Sequence, residues 1–297
     1  MITNGQSMSP AVEAPVKPQL PWVKLAWFGA LILACYLPIL TALFAQWTSD
    51  EDMSHGFFVP LVAGFIVWRK REDLTATKAE PSLWGLILVG WGALQMTLGV
   101  LGTELFTSRT AFVITVIGAV WTLGGKPFLK KLAFPLFLLF LMVPIPSVIY
   151  NQITFPLQIV ASKFAEWVLD AMNIPVLREG NILDVAGSRL SVVEACSGIR
   201  SLLTLTFLAL VYGYFFEKRV RVRAALFLAV IPVAILANDS RVTIAGLLTM
   251  VKPELAEGFF HEATGLFLFL ADFVILVLAH QLFANAASWI DERRAAA

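Results

Sequence analysis

The sequence predicts an all-α polytopic membrane protein of about eight transmembrane helices, with an outer amphipathic helix and a small β unit. Three observations predict it. Of 297 residues, 58% are hydrophobic and only 14% charged, where soluble domains carry about a quarter. The apolar residues gather in runs near the ~20-residue length that crosses a bilayer. Lys and Arg, finally, are abundant in every second connection and sparse in the others, the pattern that fixes orientation in a membrane. A net charge of +1 supplies no field for nucleic acid, and two cysteines supply no disulfide framework.

Residues 1–20, rich in Pro, Ser and Ala, predict a disordered cytoplasmic tail. The apolar run after them is too long for a signal-peptide core, so it predicts a retained first span. Spans are expected near 23–45, 55–68, 83–102, 110–124, 132–149, 197–216, 224–241 and 262–284, within a membrane domain covering 21–285. Residues 286–297 form a second tail. One set of connections holds Arg69, Lys70, Arg71, Lys78, then Lys126, Lys130, Lys131, then Lys218, Arg219, Arg221 and Arg223. The opposite set is poor in cations, so both termini are cytoplasmic. No fixed-period repeat is evident.

The long outer segment 150–196 has its own pattern. Ile153, Leu157, Val160, Phe164, Trp167 and Ala171 recur at helical spacing while Lys163, Glu166 and Asp170 fall off that line. This predicts an amphipathic helix in the outer interface. "VLREGNILDVAGSRLSVV" then predicts short strands with turns at 179–181 and 186–188. In the last strand Arg189 and Ser191 alternate with Leu190 and Val192, and the strand leads to Cys196.

Polar residues at membrane depth carry the chemistry. Cys196 sits at or next to the start of an apolar helix, on the outer face, where helix N–H groups and the dipole favour a thiolate. A lone cysteine is also a common small packing residue, and position by itself does not decide between the two. Asn238, Asp239 and Arg241 follow an apolar helix rising from the cytoplasmic edge; residues 224–238 climb about 22 Å, into the outer third of the bilayer. Charges there face a cavity or pair with each other; Arg241 snorkelling to headgroups or pairing with Asp239 is the plainer alternative. The apolar piece 242–251 is too short to span and predicts a broken or re-entrant element. His261, before the last span, emerges on the outer face, as either a proton carrier or a polar cap. His55 is also outer, and His280 lies near the inner end of the last span as a structural or lipid-edge residue. Cys196, Arg241 and His261 therefore come from three helix ends to one membrane face. A thiol, an imidazole and a guanidinium together suit acyl transfer through a covalent intermediate.

"EACSGIRS" (194–201), "NDSR" (238–241) and "HEATG" (261–265), in that order, resemble the exosortase/archaeosortase family. "SHGFFVPLVAGFIVWRKREDL" (54–74), "FPLFLLFLMVPIPSVIYNQITFPLQ" (134–158) and Pro175, Val176, Arg178 and Gly180 are similar to further parts of that family's pattern. The resemblance implies a membrane-embedded cysteine protease/transpeptidase in the inner membrane of a Gram-negative bacterium, multi-pass, with its site facing the periplasm. Its substrates would be exported proteins bearing a C-terminal Pro-Glu-Pro motif, a transmembrane helix and a basic tail, often in the setting of exopolysaccharide production. Carried over, Cys196 would be the nucleophile, His261 the proton carrier, Arg241 the stabiliser of the transition state, and Asn238 the residue orienting Arg241. His55 and Glu194 are supporting candidates, Glu194 also being readable as an interfacial acid near Arg189 or Arg200. Arg178, Arg189 and Arg200 are candidates for reading the substrate's Glu.

No cofactor is expected, and one cysteine with separated histidines fits no metal-ligand spacing. The partners expected are signal-bearing exported proteins and membrane lipids, with the acceptor nucleophile left open. The readings from other classes are a transporter for polysaccharide export, with Arg241 and Asp239 lining its path, and a non-catalytic scaffold of an export complex. A transporter predicts charges at mid-depth in several spans; a scaffold predicts that Cys196 and His261 are dispensable.

Overall fold

The computed structural model describes residues 22–185, 187–192, 199–251 and 258–296, with 22–25, 188, 251, 258–262 and 296 by their backbone alone. The expected tail 1–20, and Glu194 and Cys196, lie outside the described residues. Nearly all the described chain is helical: α1 Trp22–Ser49, α2 Phe58–Arg69, α3 Arg71–Thr75, α4 Trp84–Leu101, α5 Leu105–Leu138, α6 Ser147–Ala171, α7 Ile199–Phe216, α8 Val220–Val251 and α9 Gly258–Ala296. Three short strands, β1 Val176–Glu179, β2 Ile182–Val185 and β3 Ser188–Ser191, stand between α6 and α7.

Six of the described helices are long and apolar enough to cross a membrane. With the strands confined to one small sheet, the chain is an all-α multi-pass membrane protein. The longest candidate, Leu105–Met142, is two helices meeting at Gly125, whose φ of 74° and ψ of −168° no helix contains. They match the expected spans 110–124 and 132–149. Only glycine serves at that kink, since a Cβ there would lie 1.9 Å from the Glu80 carbonyl oxygen. The expected span 55–68 is instead a 3-10 segment, Glu51–Phe57, followed by the 12 residues of α2, shorter than the ~20 a span needs.

The chain divides into two compact units, Met1–Pro38 with Val62–Leu136, and Ile39–Leu61 with Phe137–Ala297. In the first, α4 and α5 pack antiparallel through small residues. A Cβ on Gly85, Gly92 or Gly99 would lie within 2.4, 2.2 and 2.7 Å of Thr122, Thr115 and Ser108 respectively. Tyr36 of α1 fastens onto the same seam, its hydroxyl 2.8 Å from Thr115 Oγ1 and 3.3 Å from the Gly92 carbonyl.

In the second unit, α7, α8 and α9 share a core of Leu205, Ala209, Leu226, Val230, Val233, Ala234 and Leu276. On another side of α8, Val242 joins Ala161, Ala165 and Leu169 of α6 and Leu183, Val185 and Val192 of the β unit. The expected short strands pair as an antiparallel meander, with Glu179 opposite Ile182 and Val185 opposite Ser188. Its two-residue turns place Gly180 at φ 67° and Gly187 at φ 85°, the left-handed conformation glycine adopts freely.

One further sequence expectation differs from what is observed. α8 continues unbroken through Val251, so 242–251 is neither broken nor re-entrant. A helix of 32 residues is about 48 Å long and exceeds the ~30 Å hydrocarbon core, so its last turns need not bend back. The expected amphipathic helix is α6, which buries Thr154, Gln158, Ala161, Ser162, Ala165 and Leu169 and leaves Ile153, Val160 and Trp167 of the apolar line exposed, as a helix turning that line to lipid does. Small residues let α6 approach α8 and the sheet closely, leaving the bulky apolar side chains outward.

Candidate functional site

α8 brings Arg241 to α9 at a point where α9 has no side chain. A Cβ on Gly265 would lie 3.1 Å from Arg241 Nη2 and 3.2 Å from Cζ, so the guanidinium rests on the α9 backbone. The two helices run antiparallel, since Val230 and Ala234, earlier in α8, meet Leu276, later in α9. Position 261 precedes Gly265 by one turn and shares its face of α9. The His261 backbone is thus on the face that meets Arg241; its side chain lies outside the described residues.

The segment containing Cys196 is bracketed by two anchored residues. Val192 is fully buried in the cluster that contains Val242, the residue next to Arg241. Ile199, the first residue of α7, is 1% exposed. The strand that delivers the chain to Cys196 therefore ends against α8 at the level of Arg241.

Asn238 and Asp239 are buried, and Oδ1 of each has no hydrogen-bond partner among the described residues. Asn238 is three residues before Arg241 and shares its side of α8, as an orienting residue would. Asp239 lies about 200° round the helix from Arg241, on the side of Val242 and Gly246. Among the described residues it makes no ion pair, and the local Asp239–Arg241 bridge that the sequence allowed is not formed.

The three candidate substrate-reading arginines each meet carboxylates of this chain. Arg178 Nε is 2.6 Å from Glu166, Arg189 Nη2 is 3.3 Å from Glu179, and Arg200 contacts both Glu51 and Asp52. Arg189 is the most open, its side chain 70% exposed. His55 is 4% exposed, with Nε2 3.1 Å from the Leu141 carbonyl and its ring beside Phe207. That setting is one of packing rather than of an open acid–base group.

Two polar features escaped the sequence reading. Asp272 is 5% exposed within α9, and one carboxylate oxygen has no partner among the described residues. It is the only acid between Ala263 and Ala284, a signal as plain as that of Asp239. Tyr212, His280 and Glu217 form a chain, with 3.2 Å from the Tyr212 hydroxyl to His280 Nδ1 and 3.2 Å from Nε2 to Glu217. Among the described residues no His, Cys, Asp and Glu cluster suits a metal.

Residues 47–278 match the family model described as transmembrane exosortase. No curated protein and no solved structure matches the chain.

Proposed function

The chain belongs to the transmembrane exosortase family, a family of membrane-embedded sorting enzymes, and from that premise we propose that it is a cysteine protease/transpeptidase of the bacterial inner membrane. Its substrates are exported proteins with a C-terminal Pro-Glu-Pro-type signal, a transmembrane helix and a basic tail. The observation that carries this reading is the meeting, at one level of α8, of Arg241, the α9 face holding position 261, and the strand end leading to Cys196. Cys196 is four residues beyond Val192, so the chain holds it within about 14 Å of that anchor.

In the mechanism proposed, the Cys196 thiolate attacks the scissile carbonyl at the periplasmic surface. The Arg241 guanidinium, kept flat against α9 by Gly265 and oriented by Asn238, stabilises the oxyanion. His261 takes the thiol proton and gives it to the leaving amine. A thioester remains, and an acceptor amine or water resolves it. Arg189 is favoured for reading the substrate's Glu because its own partner, Glu179, is 62% exposed and easily displaced; Arg178 is more firmly held. Glu194 is left a supporting role beside the thiol.

The test is processing of a co-expressed signal-bearing protein by wild type, Cys196→Ala and Cys35→Ala. Loss in Cys196→Ala alone, with the protein still present in the membrane, is expected; persistent processing overturns the nucleophile. One observation favours the transporter reading: Asp272 is a buried carboxylate inside a spanning helix. Processing that persists in Cys196→Ala but fails in Asp272→Asn would turn the assignment towards transport.

A further inference from the structure

The motif "SHGFF" and the acids before it have no part in the chemistry above, yet they form a polar cluster bonded to three other elements of the second unit. Asp50 caps the 3-10 segment, its Oδ1 accepting from the Asp52 N–H at 3.0 Å. Asp52, its side chain 14% exposed, then uses both oxygens on other elements. Oδ1 accepts from Arg200 Nε at 3.2 Å and Oδ2 from the Tyr150 hydroxyl at 2.5 Å. Arg200 is the second residue of α7 and Tyr150 lies in the first turn of α6. Glu51 adds a second carboxylate to Arg200 from the solvent side, its side chain 73% exposed.

The rest of the segment holds this arrangement against α7 and the chain before α6. His55 Nε2 meets the Leu141 carbonyl at 3.1 Å, and its ring lies 6.4 Å from that of Phe207, two turns along α7 from Arg200. A Cβ on Gly56 would sit 2.3 Å from Trp47 Nε1, and Trp47 in turn donates to the Met142 carbonyl at 3.0 Å. Glycine is needed there for the segment to lie on the indole.

We propose that Asp52 is a positioning residue: through Arg200 it fixes the start of α7, the helix that follows Cys196, and Tyr150 and His55 hold Asp52 and its segment in place. The inference rests on the proposed role of Cys196. Its physical basis is short. The first turn of a helix has unpaired N–H groups and frays unless something outside holds it. Arg200 is four residues from Cys196 in sequence, so in this proposal a loosened Arg200 leaves the sulfur less well placed. A reacting atom displaced by about 1 Å loses on the order of a hundredfold in rate. Asp52 suits the task because it is shielded and bonded through both carboxylate oxygens, whereas an exposed pair such as Arg200–Glu51 contributes little. Arg200 is in this view committed to its own chain rather than to substrate.

The experiment compares Asp52→Asn, Tyr150→Phe, Glu51→Gln and Cys196→Ala in a Cys35→Ala background, in purified full-length protein with a signal-bearing peptide. Asp52→Asn keeps size and shape, so the fold is expected to survive. A fall in kcat of about tenfold to a hundredfold, with KM within about twofold, is expected. Tyr150→Phe gives a smaller fall, and in combination with Asp52→Asn adds nothing further, because both act through one carboxylate. Glu51→Gln costs about threefold at most. The rate of Cys196 alkylation by a maleimide gives a readout independent of turnover, and it is expected to change in Asp52→Asn but not in Glu51→Gln. If Asp52→Asn only lowers the melting temperature, with kcat and alkylation as in wild type, Asp52 is structural and the inference fails. If Cys196→Ala still processes the peptide, the reading beneath it fails instead.

Discussion

Gly265 decides where Arg241 sits. The guanidinium lies where a Cβ at 265 would come within 3.1 Å of Nη2, so Gly265→Ala pushes it away by a few tenths of an ångström. The arginine is long enough to move without disturbing the helices, and membrane levels are expected to hold. Processing of a signal-bearing protein is expected to fall about tenfold, a fraction of the hundredfold that a full 1 Å displacement brings; unchanged processing would detach Arg241 from the reaction. Arg241 itself was legible in the sequence because a charge inside an apolar run is conspicuous. Gly265 was not, since its role exists only across a helix contact. The arginine partners divide in the same way. Glu179 and Arg189 lie only ten residues apart, on the two outer strands of the small β unit that the sequence marks, whereas Glu51 and Asp52 stand nearly 150 residues before Arg200. Glu217 carries a pH prediction of its own, being in the connection between α7 and α8. The Arg219 N–H first, and His280 further, hold its carboxyl below the ordinary 4.5. A carboxylate depressed in the folded state contributes stability above its unfolded value, and that contribution is lost as pH falls through the folded one. Glu217→Gln is therefore expected to melt below wild type at pH 7, with the difference closing as the medium is acidified below the carboxylate range. A gap that persists in acid would mean that packing, not charge, is what Glu217 supplies.

Among the elements, α4 and α5 show what the apolar pattern conceals. Gly85, Gly92 and Gly99 recur every seven residues on α4, and Thr122, Thr115 and Ser108 face them at the same interval on α5. Both helices read as uniformly apolar spans, so hydropathy located them without showing how they pair. Small residues do the pairing in a membrane, where apolar side chains gain nothing by leaving lipid for each other. Gly92→Ala would place a methyl 2.2 Å from Thr115 Oγ1, the atom that also bonds Tyr36. A loss of about 1–3 kcal/mol is expected from such overpacking, read as a lower melting temperature in detergent; Gly90→Ala, with nothing within 4 Å of its Cβ, is the silent control. The same physics explains α6. Its bulky apolar line was legible as the stripe of an interfacial helix, whereas the packing of its small polar face against α8 and the sheet shows only in three dimensions.

For the whole molecule, the alternation of Lys and Arg carries more than the helix count does. Hydropathy located the apolar stretches, yet one proved to be a 3-10 segment with a 12-residue helix, and two others meet at Gly125. Length and composition do not separate such cases, since a glycine kink inside an apolar run leaves both unchanged. Orientation rests on charge, a separate property, and the reaction requires it. In the proposed reaction Cys196 faces the periplasm to meet an exported substrate, and so do α6 and the β unit that lead to it. Lys78 belongs to a cation-rich connection and Asp170 to the segment expected on the opposite side, and both are exposed. In a Cys35→Ala, Cys196→Ala background, Asp170→Cys is therefore expected to react with a membrane-impermeant maleimide in intact spheroplasts. Lys78→Cys is expected to react only after lysis. The reverse pattern would place the strand end, Arg241 and the α9 face of position 261 in the cytoplasm, away from any exported substrate, and the sorting reaction would have no access to its thiol.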